Sequence, residues 1–198
     1  MEARMSSALR TDAEILHHVM REAVRTSPGS FLKTVADIDA QQQDYWVHEI
    51  RSSKWVVAQR DGEVIGVAAS KRPDAVKDGE DPATARYIES VWIAPGLRRK
   101  RLGERLIKYL LTTEYWSNRD IKQFVLWVYA TNAPAMKLYK HMGFVMTPEV
   151  NVVGTRAEIK YRLDFSPEVH TAIGLVANGV RWHDPLDPAV TYRVLGQA

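Results

Sequence analysis

The chain has 198 residues, 45% of them apolar, which suits one globular domain with a short tail. It contains no cysteine, so disulfides, thiolate metal sites and a cysteine nucleophile are excluded. The net charge is only +3, and no apolar run approaches the ~20 residues that cross a bilayer. The first residues, Met1-Glu-Ala-Arg-Met-Ser-Ser, lack an apolar signal core, so a cytoplasmic protein without membrane partners is expected.

Residues 7–12 read as a short strand or arm ending at a helix N-cap. Residues 12–25 set Ile15, Leu16, Val19 and Val24 on a helical stripe. Ser27-Pro28-Gly29 breaks it. Residues 34–52 form a second helix, with Val35, Ile38, Tyr45, Trp46 and Ile50 turned inward. Two apolar runs from Trp55 and from Glu63 flank Asp61-Gly62, a hairpin signal. Residues 72–84 are polar and rich in breakers, a loop. A strand follows over 85–93, a helix over 102–116, an apolar strand over 124–129 and a helix over 133–142. Asn132 caps that last helix, and Pro134 sits in its first turn. Val145, residues 150–153 and residues 159–165 supply the last strands.

The predicted order is β-α-α-β-β-β-α-β-α-β-β, a mixed α/β (α+β) domain over residues 1–165. Residues 166–198 carry two Asp-Pro steps and one Ser-Pro step but no motif. They read as a C-terminal extension of unassigned role, an arm that could complete a homodimer.

The junction between residues 87–95 and 102–111 carries the chemistry. A helix N-terminus exposes unpaired N–H groups and the positive end of the helix dipole. Five bases, Arg98, Arg99, Lys100, Arg101 and Arg105, stand here against Glu104. That is a surplus of four, which leaves the rest of the chain at −1 against the overall +3. Charge focused on one loop argues for a local anion such as phosphate, and against a nucleic-acid track. The alternatives from the loop alone are a solvated basic turn or an RNA patch. No P-loop signature is present, and the six histidines show no metal-ligand spacing.

Two segments resemble the GNAT superfamily of N-acetyltransferases. Val91-Trp-Ile-Ala-Pro95 followed by Arg98-Arg-Lys-Arg-Leu-Gly103 is similar to the strand, proline and acyl-CoA loop signature (Arg/Gln)-x-x-Gly-x-(Gly/Ala). Asn132-Ala-Pro-Ala-Met-Lys-Leu-Tyr-Lys-His-Met-Gly-Phe144 matches Asn-x-x-Ala-x-x-Leu-Tyr-x-x-x-Gly-Phe at every defined position. The resemblance runs from about Ala8 to Phe165. Where similar proteins use glycine at 99 and 101, this chain has arginine. The resemblance implies a mostly antiparallel central sheet of six to seven strands flanked by about four helices.

It also implies acetyl-CoA as co-substrate. Backbone N–H groups of Arg99, Lys100, Arg101, Leu102, Gly103 and Glu104 would hold the pyrophosphate, with Arg98 and its neighbours adding charge. Val91, Trp92 and Ile93 would pair with the pantetheine amides where their strand splays from the next. Asn132 would add a hydrogen bond to the cofactor beyond its capping role. Tyr139 would act as general acid for the departing thiolate; its spacing with Ala135, Leu138 and Met142 alone reads as core. Glu89 is the candidate base, on the strand of Val91 and Ile93 with the same side-chain parity; a substrate-ammonium contact or an ion pair with an arginine is the alternative. Similar proteins that place a glutamate on the following strand have it at the position of Trp127. Ser90, expected opposite Glu89, and the lack of cysteine leave no good nucleophile for a covalent route.

The expected reaction is direct acetyl transfer to a primary amine of a small molecule. Asp37, Asp39, Asp44, Asp74, Asp78, Glu80 and Asp81 could form an acidic rim for a cationic acceptor, or simply a solvated surface. The alternatives are a protein or peptide N-acetyltransferase, and an acyl-CoA sensor without turnover.

Overall fold

A computed structural model describes residues 2–76, 78–165 and 193–194. The proposed extension 166–198 lies outside these residues, apart from the last pair. The elements in chain order are β1 (Arg4–Ser7), α1 (Ala13–Thr26), α2 (Val35–Asp39), α3 (Gln43–Ser52), β2 (Lys54–Arg60), β3 (Glu63–Lys71), β4 (Ala85–Ile93), α4 (Leu102–Ser117), β5 (Gln123–Tyr129), α5 (Ala133–His141), β6 (Val145–Val153), β7 (Arg156–Asp164) and β8 (Arg193–Val194). This is the expected mixed architecture, with one helix more than expected. No helix among the described residues is long and apolar enough to cross a membrane.

The extra helix comes from a break in the predicted 34–52 helix. Thr34 accepts from the Asp37 N–H while Asp37 accepts from the Thr34 N–H, a reciprocal cap that starts α2. Gln42 is extended and restarts the chain as α3. Ile38 and Trp46 are both buried. Eight residues apart on a continuous helix they would point about 80° apart, so the break lets both face inward. His17 of α1 stacks on Trp46, with centroids 5.4 Å apart, and its Nε2 lies 3.2 Å from the Ile38 carbonyl oxygen.

The chain divides into two units. The first holds residues 2–69, 90–110 and β8. Here β1 pairs antiparallel with β2, Arg4 opposite Gln59, and β8 pairs parallel with β3. Asp61 and Gly62 both have positive φ, 55° and 82°, the paired left-handed geometry of a tight hairpin turn. Gly66 allows a close crossing: a Cβ there would lie 2.5 Å from Ile93 Cδ1 and 3.1 Å from the Trp92 carbonyl oxygen. Gly66→Ala should therefore cost about 1–3 kcal/mol, read in urea. A wild-type midpoint would refute the role given to Gly66.

The second unit holds residues 70–89 and 111–165 of the described chain. Its strand order is β4, β5, β7, β6. The parallel β4–β5 register is short, Ala85↔Gln123, Arg86↔Phe124 and Tyr87↔Val125. β5 continues to Tyr129, fully paired with β7. Leu126, Val128, Tyr161 and Leu163 are buried on one face. The edge strand β6 is continuous where two pieces were expected. Its register slips between Met146 and Val150, around Pro148, which has no N–H to donate.

Candidate active site

The first unit carries the basic turn that leads into α4. Ser90 has φ +55°, so β4 carries a left-handed kink in mid-strand. Such a residue costs roughly 1–2 kcal/mol when it is not glycine. The kink corrects the parity expected for Glu89, Val91 and Ile93. Alternation does not pass through Ser90, and Trp92 and Ile93 are buried in succession, at 4% and 8% exposed. Trp92 Nε1 donates to Thr26 Oγ1 at 3.0 Å, which anchors the kinked strand to the end of α1.

Arg98 Nε donates to the Ile93 carbonyl oxygen (2.9 Å) and its Nη2 to Ser27 Oγ (2.6 Å). This arginine clamps the loop onto β4 as well as charging it. Arg105 likewise holds the N-terminal segment, through the Ala3 carbonyl and Glu2, each at 3.0 Å. Arg99, Lys100 and Arg101 are exposed. Arg99 and Arg101 have φ +63° and +57°. The two positions where similar proteins carry glycine thus keep the left-handed backbone without it. Successive turns of this kind point N–H groups into a concave anion nest at the start of α4.

The second unit holds Glu89, Asn132 and Tyr139. Asn132 Oδ1 accepts from the Ala135 N–H at 3.3 Å and caps α5. Tyr139, 7% exposed, sits between Phe144 and Tyr161 with centroids 5.7 and 6.4 Å away. Burial pushes its phenol well above the ordinary value. Glu89 Oε2 lies 2.6 Å from Lys71 Nζ, an ion pair with a lysine where an arginine was considered. Tyr87 is pushed up by burial and then by the charges of Glu89, Glu158 and Asp78.

Sequence reasoning missed the other face of β7. Lys160, 3% exposed, lies against the Trp127 ring and pairs with Glu80, with the Asp78 carbonyl (2.7 Å) and more loosely with Glu149 (3.8 Å). It ties the 72–84 loop to the sheet. The alternation of Glu158, Lys160 and Arg162 with Ile159, Tyr161 and Leu163 looks like a solvated strand face, so nothing in the pattern marked it. The expected acidic rim is also changed. Asp37 and Asp81 cap local turns, Asp39 pairs with Arg21, Asp74 and Asp78 bond within their own loop, and Glu80 binds Lys160.

The sequence pattern of the acetyltransferase (GNAT) family matches residues 16–144. The chain belongs to this family. A mycothiol acetyltransferase of Acidothermus cellulolyticus is 28% identical over 120 residues, 56% of this chain and 35% of that protein. One from Amycolatopsis mediterranei is 27% identical over 135 residues, 67% of this chain and 42% of that protein. The chain thus spans less than half the length of these curated relatives. Among solved structures, ribosomal-protein-alanine N-acetyltransferase from Brucella melitensis superimposes with a TM-score of 0.64 at 18% identity, covering 81% of this chain and 99% of that one. Salmonella typhimurium yncA, solved with its cofactor acetyl-CoA, gives 0.62 at 17% identity, covering 83% and 94%. In this GNAT protein the nest at residues 99–104 fits a pyrophosphate, by its left-handed turns, its exposed cations and the helix that follows. No group of three or more His, Cys, Asp or Glu with metal-binding geometry occurs among the described residues.

Proposed function

We propose that this protein transfers the acetyl group of acetyl-CoA directly to a primary amine of a small molecule. The observation that carries the reading is the end of β4–β5 pairing at Tyr87, which leaves Glu89 beyond the last β5-paired residue, next to the kink at Ser90. Acetyl-CoA supplies the activated acyl group. The backbone from Arg99 to Glu104 binds phosphate, and Val91, Trp92 and Ile93 offer strand-edge groups to an extended amide chain. Asn132 caps α5 and so holds Tyr139 in place. Glu89 takes the proton of the attacking ammonium, and Lys71 keeps its carboxylate oriented until the amine arrives. Tyr139 gives a proton to the departing thiolate. Most of the rate comes from holding amine and thioester in line. The chain has no cysteine to carry an acyl intermediate, and a cytoplasmic location goes with this reading. The relatives named for mycothiol support a small acceptor.

A peptide acceptor is the second reading. It is favoured by β6, an edge strand with Val145, Val150 and Val152 exposed, where an extended peptide could add. Thiol release from acetyl-CoA separates the two, and without cysteines the chain gives no background with a thiol reagent. Turnover of free amines supports the first reading, and turnover of peptides alone supports the second. Tight acetyl-CoA binding with no turnover on either would indicate a sensor. Glu89→Gln should lower kcat/KM about 10²-fold, most strongly at low pH, where the amine is protonated. An unaltered pH–rate profile would remove Glu89 from the role of base.

A further inference from the structure

Glu89 on β4 already holds a primary ammonium. Lys71 Nζ, at the end of the neighbouring strand β3, lies 2.6 Å from Glu89 Oε2. The same nitrogen lies over the Tyr87 ring, 5.5 Å from its centroid. A carboxylate beside an aromatic ring is a seat for an alkylammonium. Lys71, Tyr87 and Glu89 all belong to the second unit, so the seat is built within it. The Lys71 side chain is 43% exposed and that of Glu89 23%. Solvent therefore reaches this pair, unlike the enclosed pair of Arg86 and Glu114.

The other lysine–glutamate pairs are of a different kind. Lys160 is 3% exposed and held by Glu80 and the Asp78 carbonyl, so its ammonium is enclosed by acceptors. Lys108 pairs with Glu104 at 2.8 Å, an ordinary i, i+4 pair along a helix. Glu89 instead stands one residue before the left-handed kink at Ser90 and two before Val91. The chain thus places the Lys71 nitrogen on the carboxylate that leads into the strand segment assigned to the cofactor.

We infer that Lys71 is an acceptor for this protein's own reaction: with acetyl-CoA bound and no other amine present, the chain acetylates Lys71 in cis. The inference rests on the proposed amine acetylation, in which Glu89 takes a proton from a primary ammonium. Lys71 presents that group. Glu89 removes one proton from Nζ, and the freed lone pair attacks the thioester carbonyl carbon. The C–N bond forms and the C–S bond breaks. Of the two protons that the nitrogen loses, one passes from Glu89 to solvent. The other balances the proton that Tyr139 gives to the thiolate. The products are acetylated Lys71, CoA thiol and one proton. Acetylation removes the lysine charge, and with it the ion pair that occupies Glu89.

Incubation of the full chain with acetyl-CoA alone, followed by peptide mass spectrometry, tests this. Lys71 should gain acetyl at least ~10-fold faster than the exposed Lys137 and Lys140 of α5, because only Lys71 is held beside the base. The rate should not change with protein concentration, as for a reaction within one chain. Acetyl phosphate acylates lysines without a cofactor site, and with it the preference for Lys71 should vanish. Glu89→Gln should slow the Lys71 reaction about 10²-fold and leave Lys137 and Lys140 unchanged. Lys71 modified no faster than the α5 lysines, equally fast in Glu89→Gln, or faster as the protein is concentrated, overturns the inference. Thiol release with added amines while Lys71 stays unmodified would also overturn it and keep the amine reading. Glu89-dependent acetylation of Lys71 without turnover of any added amine would keep the inference and sink that reading.

Discussion

Tyr139→Phe should lower turnover about 10²-fold while leaving the dissociation constant of acetyl-CoA within about twofold. The two effects separate because the substitution removes one hydroxyl and keeps the ring that packs between Phe144 and Tyr161. Burial holds the phenol protonated well past its ordinary value near 10, which keeps the proton in place but makes it a weaker acid toward a leaving thiolate of pKa about 8.5. The same shift has a consequence for stability. The folded state keeps this proton longer than the unfolded chain does. Its contribution is complete below pH about 10 and is lost as the pH rises above that value. The phenylalanine variant should therefore lose less stability than the wild type in alkali. Unchanged turnover would make Tyr139 a packing residue, as its helical spacing alone suggests.

Glu114→Ala should cost about 3–5 kcal/mol of folding stability, measured by urea unfolding. Glu114 and Arg86 form an ion pair at 3.5 Å with side chains only 7% and 8% exposed. Ser70 donates its hydroxyl to the other carboxylate oxygen, while Arg86 Nη1 donates to the Pro82 and Ala85 carbonyls. Truncating the acid leaves a guanidinium buried without its counter-charge and a serine hydroxyl without its acceptor. Replacing both partners with apolar residues, as in Arg86→Met with Glu114→Leu, should recover most of the loss, because the cost lies in the uncompensated charge more than in the missing attraction. A loss below about 1 kcal/mol in the single variant would show that water reaches Arg86.

The elements were legible where local chemistry dictates them. Asp61-Gly62 adopts the left-handed pair that a two-residue hairpin requires, and Asn132 caps α5 with the proline behind it. The one misread helix, residues 34–52, failed because a reciprocal cap between Thr34 and Asp37 competes with simple periodicity. The surroundings of Glu89 were not legible. Its partner Lys71 lies 18 positions away in sequence on a neighbouring strand, and the kink at Ser90 breaks the count of two that placed Glu89 beside Val91.

The sequence alone pointed to the family, because the resemblance rests on residues close together in the chain: the run from Arg98 to Gly103, and the run from Asn132 to Phe144. Only the tertiary structure decided that Arg98 is a clamp, that Arg99 and Arg101 take up the backbone of glycine, and that Tyr129 and Glu158 stand opposite each other in the β5–β7 register. Those facts depend on strand register and on backbone dihedrals, and both are set by contacts between residues far apart in sequence, which no local pattern records.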